Sequence, residues 1–260
     1  MKNEAIGIFD SGVGGVSVLR DMARMLPHER FVYYGDNLNA PYGVKSEKEI
    51  RTLAMNVADV LLALHIKALV VACNTATSAA IIQLREQLSM PVIGMEPALK
   101  PASQMCRGGQ VLVLATPVTL RENKFQRLLK SYESEAEVLP LPCPGLVEMI
   151  EKGILEGPEL EALLKNLLRE ALSPPPDAVV LGCTHYPLVQ RSIRKVIGSP
   201  VEIFQGGPGT ARETGRRLEE AGLRRKDGKG RLEFRSSDEM GSWIPLAEKL
   251  FRSAMEQLSD

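Results

Sequence analysis

Two cysteines of this sequence occupy near-matching local settings. Cys73 follows the apolar run Leu69-Val-Val-Ala, and Cys183 follows Val179-Val-Leu-Gly. Such β-branched runs are typical of buried parallel strands, so each thiol is predicted to stand at the carboxyl edge of a strand, where open α/β sheets bind ligands. Two thiols in equivalent places indicate a paired task. The chemistry that we infer is removal of a proton from one face of a carbon and return of a proton to the other face.

Short polar side chains follow each of these cysteines. The first is followed by Asn74 and Thr75, at a predicted helix start where the helix dipole and free N–H groups stabilise a thiolate or a ligand carboxylate. The second is followed by Thr184 and His185, and an imidazole beside a thiol is a recurrent way to tune a reactive sulfur. A Cys-His hydrolase is an alternative that would leave Cys73 without a use.

A glycine-rich turn, Asp10-Ser-Gly-Val-Gly-Gly15, is predicted to end the first strand and to open a helix. Glycine permits tight turns, and N–H groups at a helix start bind carboxylates or phosphates. The spacing matches neither a Walker loop nor the dinucleotide fingerprint, so a purely structural turn is the alternative. Asp10 favours a functional interpretation, because its carboxylate would lie beside the neighbouring strand ends and could orient a thiol or accept its proton.

Other polar and thiol residues carry weaker signals. The loop at residues 36–43 follows a predicted strand at the same sheet edge, and its Asn, Pro and Gly content is also typical of an ordinary turn. Cys106 and Cys143 are predicted to be structural, one near a helix end and one in a Pro-Cys-Pro turn. Glu96 and Glu151 would be discounted from their local pattern alone, since a glutamate near a helix end is usually solvated.

The composition is that of an ordinary globular chain. Of 260 residues, 44% are hydrophobic and 25% charged, and 32 Lys and Arg balance 32 Asp and Glu. This balance gives no reason to expect a nucleic acid or an anionic membrane as partner, although a local basic patch is conceivable around Arg224-Arg-Lys226. The apolar runs are strand-sized and no signal peptide is recognisable, so we expect a cytoplasmic protein without a membrane segment.

The cysteine and histidine spacing predicts free thiols and no metal. Four cysteines are widely separated without a Cys-x-x-Cys motif, and three histidines add no zinc-like spacing. Zinc at Cys183 and His185 is a minor alternative, because a tetrahedral site needs further ligands that the sequence does not supply.

Strand-like runs alternate with amphipathic, helix-length runs. This βα order predicts an α/β fold of mostly parallel sheets with right-handed crossovers. The order restarts after Gly108-Gly109, so the chain is interpreted as a diverged duplication whose two lobes face each other across a cleft. Strands are predicted at 5–9, 30–34, 68–72, 110–115, 137–139, 178–181 and 232–235, and helices at 16–25, 47–64, 77–88, 120–132, 146–152, 158–172, from 212 onward and at 243–258.

Several segments together closely resemble the cofactor-independent aspartate/glutamate racemase superfamily, and its glutamate branch in particular. The resemblance implies two pseudo-symmetric α/β lobes, formed by residues 1–97 with 212–260 and by residues 98–211, with the active site in the cleft between them. It also implies interconversion of L- and D-glutamate without a cofactor, which supplies D-glutamate for peptidoglycan. The segments are Phe9-Asp-Ser-Gly-Val-Gly-Gly15, Pro41-Tyr-Gly43, Ala72-Cys-Asn-Thr-Ala76, Glu96-Pro97 and Gly182-Cys-Thr-His-Tyr-Pro187.

The resemblance further implies roles for individual residues. Cys73 and Cys183 would be the two acid/base residues, with Cys73 facing the Cα hydrogen of D-glutamate and Cys183 that of L-glutamate. Asp10 and His185 would be their assisting partners, and Glu151 matches a glutamate of the family. Substrate contacts would come from Ser11, Pro41, Tyr42, Gly43, Asn74, Thr75, Thr116, Thr119 and Thr184.

The mechanism must overcome the weak basicity of a thiol, whose unperturbed pKa is about 8.5. Substrate binding would select one ionised and one protonated cysteine, and strand-end amides and hydroxyls would hold the α-carboxylate as negative charge develops. Many racemases use pyridoxal phosphate instead, but the sequence displays no compelling lysine and phosphate cradle.

Three other functions stay open. The nearest is a racemase for aspartate or another acidic amino acid, which only the family motifs separate from a glutamate enzyme. A non-catalytic amino-acid-binding protein would not need a thiol on each side of its ligand, and a redox sensor would need sulfurs close enough to bridge. The expected partner is the small-molecule substrate glutamate, and the expected assembly is a homodimer whose interface no sequence pattern indicates.

The sequence also departs from the family pattern. Leu38-Asn39 replaces an Ala-Arg pair, Ala115-Thr116 stands for Gly-Thr, and Phe204-Gln-Gly-Gly-Pro-Gly209 replaces an Asp-Ser/Pro stretch. These positions lie at the edges of the predicted site and in the tail. We therefore expect them to affect regulation and interfaces more than chemistry.

Overall fold

The computed structural model describes residues 2–198, 200–238 and 243–256. Within these ranges the chain forms two sheets, and every strand pair in both is parallel. The first sheet has the order β4-β3-β1-β2-β9 and the second has the order β6-β5-β7-β8. The strands are β1 Ile6–Asp10, β2 Arg30–Gly35, β3 Ala68–Val71, β4 Val92–Gly94, β5 Gln110–Ala115, β6 Glu137–Pro142, β7 Ala178–Leu181, β8 Glu202–Gln205 and β9 Arg231–Ser236.

The two sheets repeat one topology. In each, the first strand is central, the second and third strands flank it, and the fourth lies beyond the third. All residues of β1, β3 and β7 are buried, as expected of strands covered on both faces. The predicted α/β fold with two similar lobes is therefore confirmed, and β9 is the addition that makes the first sheet larger.

Helices cover both sheets. Ser46 and Glu49 form a capping box that fixes the start of α2, and Cys73 occupies the N-cap of α3. The helices are α1 Val16–Met25, α2 Glu47–Leu62, α3 Asn74–Gln87, α4 Leu99–Met105, α5 Pro117–Arg121, α6 Asn123–Lys130, α7 Leu146–Glu151, α8 Pro158–Leu168, α9 Gln190–Ile197, α10 Gly207–Glu220 and α11 Trp243–Glu256.

The C-terminal tail returns to the first sheet. Strand β9 pairs with β2 along its whole length, and α10 and α11 both pack against α1. Helix α10 begins at Gly207, so its first residues fall inside the range predicted for the second lobe although the helix packs on the first. The predicted lobe boundary between residues 211 and 212 stays a prediction. The predicted end of the last helix, at residues 257–258, lies outside the described residues.

Several predicted element bounds were wrong for local reasons. The helix predicted at 120–132 is two helices, because Glu122 is extended with φ −66° and ψ 133°. Helix α3 starts directly after Cys73 instead of at residue 77. Strands β4 and β8 were missed, since β4 has only three residues and β8 is partly exposed, so neither forms the buried apolar run that marks β3 and β7.

Among the helices of the described ranges, none combines the length and the apolar character needed to cross a membrane.

Candidate active site

The carboxyl edges of the two sheets face each other. Thr184 Oγ1 donates a hydrogen bond to Asp10 Oδ2 at 3.0 Å, and Ser17 Oγ donates to the backbone carbonyl of Thr184 at 2.8 Å. The backbone N–H of Val13 donates to Glu151 Oε1 at 2.9 Å. Each contact joins the end of β1, the turn after it or the start of α1 to residues near β7 or α7. The two strand ends that carry the cysteines therefore belong to one site.

Both thiols are buried at this junction. Cys73 is 5% exposed and Cys183 is 8% exposed. A Cys183 thiolate is among the charges that raise the pKa of Cys73, after burial and the charge of Asp10, so the two sulfurs lie within electrostatic reach of each other. All four cysteines, including Cys106 and Cys143, are free thiols.

Cys183 lies at the end of a chain of hydrogen-bonding groups. Its Sγ is 3.6 Å from His185 Nδ1, and His185 Nε2 is 2.5 Å from Glu151 Oε1. Burial alone lowers the pKa of His185, but the contacts with Cys183 and Glu151 outweigh burial and raise the pKa well above its ordinary value. Burial raises the pKa of Glu151, and the hydrogen bond and charge of His185 reverse this and lower it. This arrangement favours an imidazolium at His185, between the Glu151 carboxylate and the sulfur of Cys183.

The glycine-rich turn after β1 makes this approach possible. A Cβ on Gly12 would lie 1.8 Å from Glu151 Oε1, and a Cβ on Gly14 would lie 2.3 Å from His185 Nδ1. Neither glycine has a positive φ, so both are required by space and not by backbone conformation. The sequence suggested that N–H groups of this turn could bind an anion of the ligand. In the structure one of them, the N–H of Val13, donates to the carboxylate of Glu151 instead.

Cys73 has a different electrostatic setting. Its Sγ accepts the N–H of Ala76 at 3.4 Å and lies 3.9 Å from Ser11 Oγ. Burial and the charge of Asp10 raise the pKa of Cys73 well above its ordinary value, and the N–H at the helix start only partly offsets them. The helix start therefore does not outweigh burial and the charge of Asp10 at Cys73. Burial and the charge of Asp10 thus favour the protonated form of this thiol.

Asp10 contacts Cys73 through Ser11. Asp10 Oδ1 accepts the Ser11 N–H at 2.6 Å and lies 3.3 Å from Ser11 Oγ, which in turn faces the thiol. Asp10 is fully buried, and burial raises its pKa against the opposing charge of His185. The sequence suggested a direct partnership between carboxylate and thiol, and the structure places a hydroxyl between them.

Three threonines from both sheets converge beside the thiols. Thr75 Oγ1 lies 2.9 Å from Thr119 Oγ1 and 3.3 Å from Thr116 Oγ1, and Thr116 Oγ1 donates to Thr119 Oγ1 at 2.9 Å. Asn74 next to them is buried, and neither its Oδ1 nor its Nδ2 has a hydrogen-bond partner within the described ranges. A buried amide without partners is uncommon and marks a place where a polar ligand fits.

The predicted loop around Pro41 also reaches this region. A Cβ on Gly43 would lie 2.9 Å from Cβ of Thr116, so the loop packs directly on the second lobe. Tyr42 is buried, and its hydroxyl donates to Asp36 Oδ2 at 2.5 Å, while Asn39 Nδ2 donates to Asp36 Oδ1 at 2.9 Å. The Tyr42 hydroxyl is thus already satisfied, and Pro41 lies at the partly exposed end of the loop.

The remaining cysteines lie in other environments. Cys106 packs with Leu99 and Ala102 in a separate apolar cluster. Burial raises the pKa of Cys143 to about 12, and its Sγ lies 3.6 Å from the carbonyl of Leu141. Among the described residues, no group of three His, Cys, Asp or Glu side chains is placed to hold a metal ion.

Sequence reasoning missed residues that support the site from behind. Tyr33 donates its hydroxyl to the carbonyl of Gly12 at 2.8 Å, and Trp243 stacks on the ring of Tyr33. Ser17 ties α1 to Thr184. No local pattern could have identified these residues, since an aromatic or a serine in an apolar run is normally part of the core.

Comparisons with known proteins agree with this geometry. Residues 6–213 match the Asp/Glu/Hydantoin racemase family. The chain belongs to this family. The matched span contains both thiols, Asp10, Glu151 and His185, whereas β9 and α11 lie beyond it.

Individual members of this racemase family are similar over nearly their whole length. Glutamate racemase of Clostridium acetobutylicum is 52% identical over 220 residues, which cover 84% of this chain and 86% of that protein. The structure of Francisella tularensis glutamate racemase in complex with D-glutamate is 29% identical with a TM-score of 0.84, covering 97% of this chain and 95% of that one. The Escherichia coli glutamate racemase structure, in complex with L-glutamate and the activator UDP-MurNAc-ala, is 32% identical with a TM-score of 0.82 and covers 95% of each chain.

Proposed function

We propose that this protein interconverts L-glutamate and D-glutamate by proton transfer at Cα between two cysteines. The observation that carries the proposal is the pair of buried thiols, Cys73 and Cys183, at equivalent strand ends of two facing sheets. Their settings differ in charge, because the acidic Asp10 reaches Cys73 through Ser11 and an imidazole lies beside Cys183. Substrate identity is supported by similarity in sequence and structure to glutamate racemases, two of which were solved in complex with D-glutamate or L-glutamate.

Proton transfer from L-glutamate starts with Cys183 as the thiolate. The thiolate takes the Cα proton, so an S–H bond forms, the Cα–H bond breaks and its electron pair moves into an enediolate. The Cys73 thiol then gives its proton to the opposite face of Cα and becomes a thiolate, which completes inversion. For D-glutamate the same steps run in reverse. Because the two thiols share one site, their titrations are coupled and belong to the pair.

Asp10, His185 and Glu151 assist the two thiols in this proposal. An imidazolium at His185, held by Glu151, stabilises the thiolate of Cys183 through charge. Asp10 acts on Cys73 through Ser11 and favours the protonated thiol, which is the form that must donate. Cys73 is thereby set as the proton donor for the L-to-D direction.

The hydroxyl and amide groups beside the thiols are the proposed binding site for the α-carboxylate. Asn74 supplies a buried amide without partners, and Thr75, Thr116 and Thr119 supply hydroxyls that bond to one another. Donors placed where negative charge develops stabilise an enediolate more than the substrate carboxylate. The further substrate contacts that we propose are Ser11, Pro41, Tyr42, Gly43 and Thr184.

Entry of substrate needs movement of the two lobes. Both sulfurs are buried, and the contacts of Asp10 with Thr184 and of Val13 with Glu151 join the lobes across the site. We propose that these contacts separate when an amino acid enters and form again around it. Closure would exclude water from the reacting carbon, which strengthens every charge interaction with it.

The cellular context is proposed from the same family membership. A cytoplasmic location, a homodimeric assembly and supply of D-glutamate for peptidoglycan are the expectations. The oligomeric state can be measured by sedimentation of the purified protein.

The proposed activity is tested by incubating the reduced protein with L-glutamate and following optical rotation without added cofactor. Loss of rotation with L-glutamate, together with a much slower loss with L-aspartate, is the expected result. A folded protein that leaves the rotation of L-glutamate unchanged would contradict the proposal. A faster loss of optical rotation with L-aspartate would show that aspartate is the preferred substrate.

A further inference from the structure

The carboxylate of Glu151 is bound asymmetrically. His185 Nε2 lies 2.5 Å from Oε1, and the Val13 N–H donates to the same oxygen at 2.9 Å. Gly12 lies directly against the carboxylate from the side of the glycine-rich turn. Both hydrogen bonds thus end on one oxygen of a side chain that holds the imidazole beside Cys183.

Trp243, at the start of α11, is fixed behind the same turn. It is 6% exposed, and its ring stacks on Tyr33 with centroids 6.0 Å apart and an angle of 8° between the planes. A Cβ on Gly35 would lie 2.2 Å from Cη2 of the indole. Tyr33 in turn donates its hydroxyl to the carbonyl of Gly12. The indole is therefore packed rigidly against strand β2 and the turn that contacts Glu151.

The N–H of this indole lacks a hydrogen bond of regular geometry. Trp243 Nε1 is buried and has no hydrogen-bond partner within the described ranges. The carboxylate that this N–H influences is that of Glu151. Burial raises the pKa of Glu151, and His185, the Val13 N–H and the indole N–H together lower it. The N–H thus favours the ionised carboxylate without a well-formed hydrogen bond. Buried donors are almost always paired in native proteins, so this donor and this carboxylate form an incomplete pair.

We propose that Trp243 is a positioning residue, whose indole N–H donates to Glu151 in the substrate-bound protein and holds Glu151 and His185 in place beside Cys183. This inference rests on the proposed racemase function. Helix α11 packs on α1 of the first lobe, whereas Glu151 ends α7 and His185 follows β7 of the second. The contact therefore crosses between the lobes, and it would form when the lobes close around the substrate.

The primary test compares Trp243→Phe with Phe234→Leu. Phe234 packs on the other part of the Tyr33 ring, with centroids 5.8 Å apart, and it supplies no donor to Glu151, so it controls for loss of packing. Trp243→Phe is expected to lower kcat for L-glutamate about fivefold with less than about a twofold change in KM, and Phe234→Leu to change neither by more than about twofold. The acid limb of the kcat profile should move to higher pH in Trp243→Phe alone, because the carboxylate loses a stabilising donor.

A second measurement does not depend on turnover. The titration of His185 is followed by ¹⁵N NMR of histidine-labelled protein, with assignment by a His185→Gln sample. Besides His185, the titratable groups that face Glu151 are Asp10 and Tyr33, and both variants retain them. The midpoint for His185 should fall in Trp243→Phe and stay in place in Phe234→Leu. If the unmodified protein does not racemise glutamate, the proposed function is refuted. The titration of His185 can still be interpreted in that case.

Non-additivity completes the test. In a Glu151→Gln background, Trp243→Phe should cause no further loss of kcat, since the residue acts through that carboxylate. If Trp243→Phe fails to fold, a second variant is available, because Trp243 is the single tryptophan of the chain. Replacing tryptophan throughout by its benzothiophene isostere then removes this one N–H and keeps the bicyclic ring. An unchanged His185 titration in a folded variant, or a loss of kcat that adds fully to that of Glu151→Gln, would overturn the proposal.

Discussion

Thr184, the residue after one thiol, donates its hydroxyl to Asp10, which ends β1 of the other lobe, at 3.0 Å. Asp10 reaches Cys73 through Ser11, so this hydrogen bond connects the surroundings of both thiols. The two lobes are thus joined by a hydrogen bond next to the two thiols that the proposed reaction uses. One consequence is that each thiol is sensitive to groups supplied by the opposite lobe.

The four cysteines should divide into two pairs by function. Cys73→Ala and Cys183→Ala should each lower racemisation of glutamate by at least about 10²-fold, since each removes a proton donor or acceptor from one face of Cα. Cys106→Ala and Cys143→Ala should retain activity within about twofold and lose about 1 kcal/mol of stability from their packing. Rates are measured by circular dichroism of glutamate. Equal tolerance of all four substitutions would return the thiols to a purely structural role.

Gly12 should be intolerant of the smallest side chain. Gly12→Ala places a Cβ 1.8 Å from Glu151 Oε1, so the carboxylate must leave His185 and kcat should fall at least about tenfold. Gly209→Ala is the matched control, because a Cβ there meets nothing within 4 Å and the position lies in α10. That control should keep full activity and gain up to about 1 kcal/mol in urea unfolding, since alanine is the better helix former. Normal activity of Gly12→Ala would show that Glu151 is dispensable.

The Glu151–His185 pair should stabilise the protein over a limited pH range. The pKa of His185 is raised on folding, so its contribution is full below its ordinary value of 6.5 and is lost as pH rises through the raised value. The pKa of Glu151 is lowered, so its contribution is full above its ordinary value of 4.5 and is lost as pH falls through the lowered value. The stability difference between the unmodified protein and His185→Gln should therefore be largest between about pH 4.5 and 6.5.

That difference is obtained from urea unfolding of the two proteins across the pH range. It should decrease steadily from neutral toward alkaline pH as the imidazole of the unmodified protein loses its proton. A difference that instead grows in alkaline solution would mean that His185 is buried as a neutral group, and the imidazolium assignment would be wrong.

Asn74 should serve binding at the expense of stability. Its amide is buried without partners, so Asn74→Leu, which has a similar shape, should leave the free energy of unfolding unchanged or raise it by about 1 kcal/mol. The same substitution should raise KM for glutamate at least about tenfold, because a donor to the carboxylate is gone. Thr77→Val is the control: Thr77 donates to the Val71 carbonyl and accepts the Met95 N–H. It should lose about 1 kcal/mol of stability and keep its KM.

Much of the fold was predictable because β-branched runs and amphipathic runs alternate clearly along the chain. The runs before Cys73 and Cys183 gave both strands, and the restart after Gly109 gave the duplication. The break at Glu122 and the short strands β4 and β8 were not predictable, since they depend on tertiary pairing and on single backbone angles. Sequence spacing likewise contains no information on distances between the lobes. The hydrogen bond between Thr184 and Asp10 could therefore be recognised only in the structure.

The site was predictable in composition and less so in arrangement. The cysteine motifs carried chemical types that suit proton transfer, whereas Glu151 was visible only through family resemblance. Its contact with the Val13 N–H spans the two lobes, and no local pattern encodes such a pair. The close packing at Gly12 and Gly14 was not predictable for the same reason, since the side chains that lie against them come from the second lobe.

The most direct test of the two-thiol account is the isotope content of both enantiomers early in the reaction of L-glutamate in heavy water. The account predicts that newly formed D-glutamate carries deuterium at Cα, because its proton comes from the Cys73 thiol after exchange with solvent. The remaining L-glutamate should still carry protium, because Cys183 removes its proton from the other face. D-glutamate that retains the original hydrogen, or deuterium that appears in L-glutamate as fast as in the product, would show that one base serves both faces and would contradict the account.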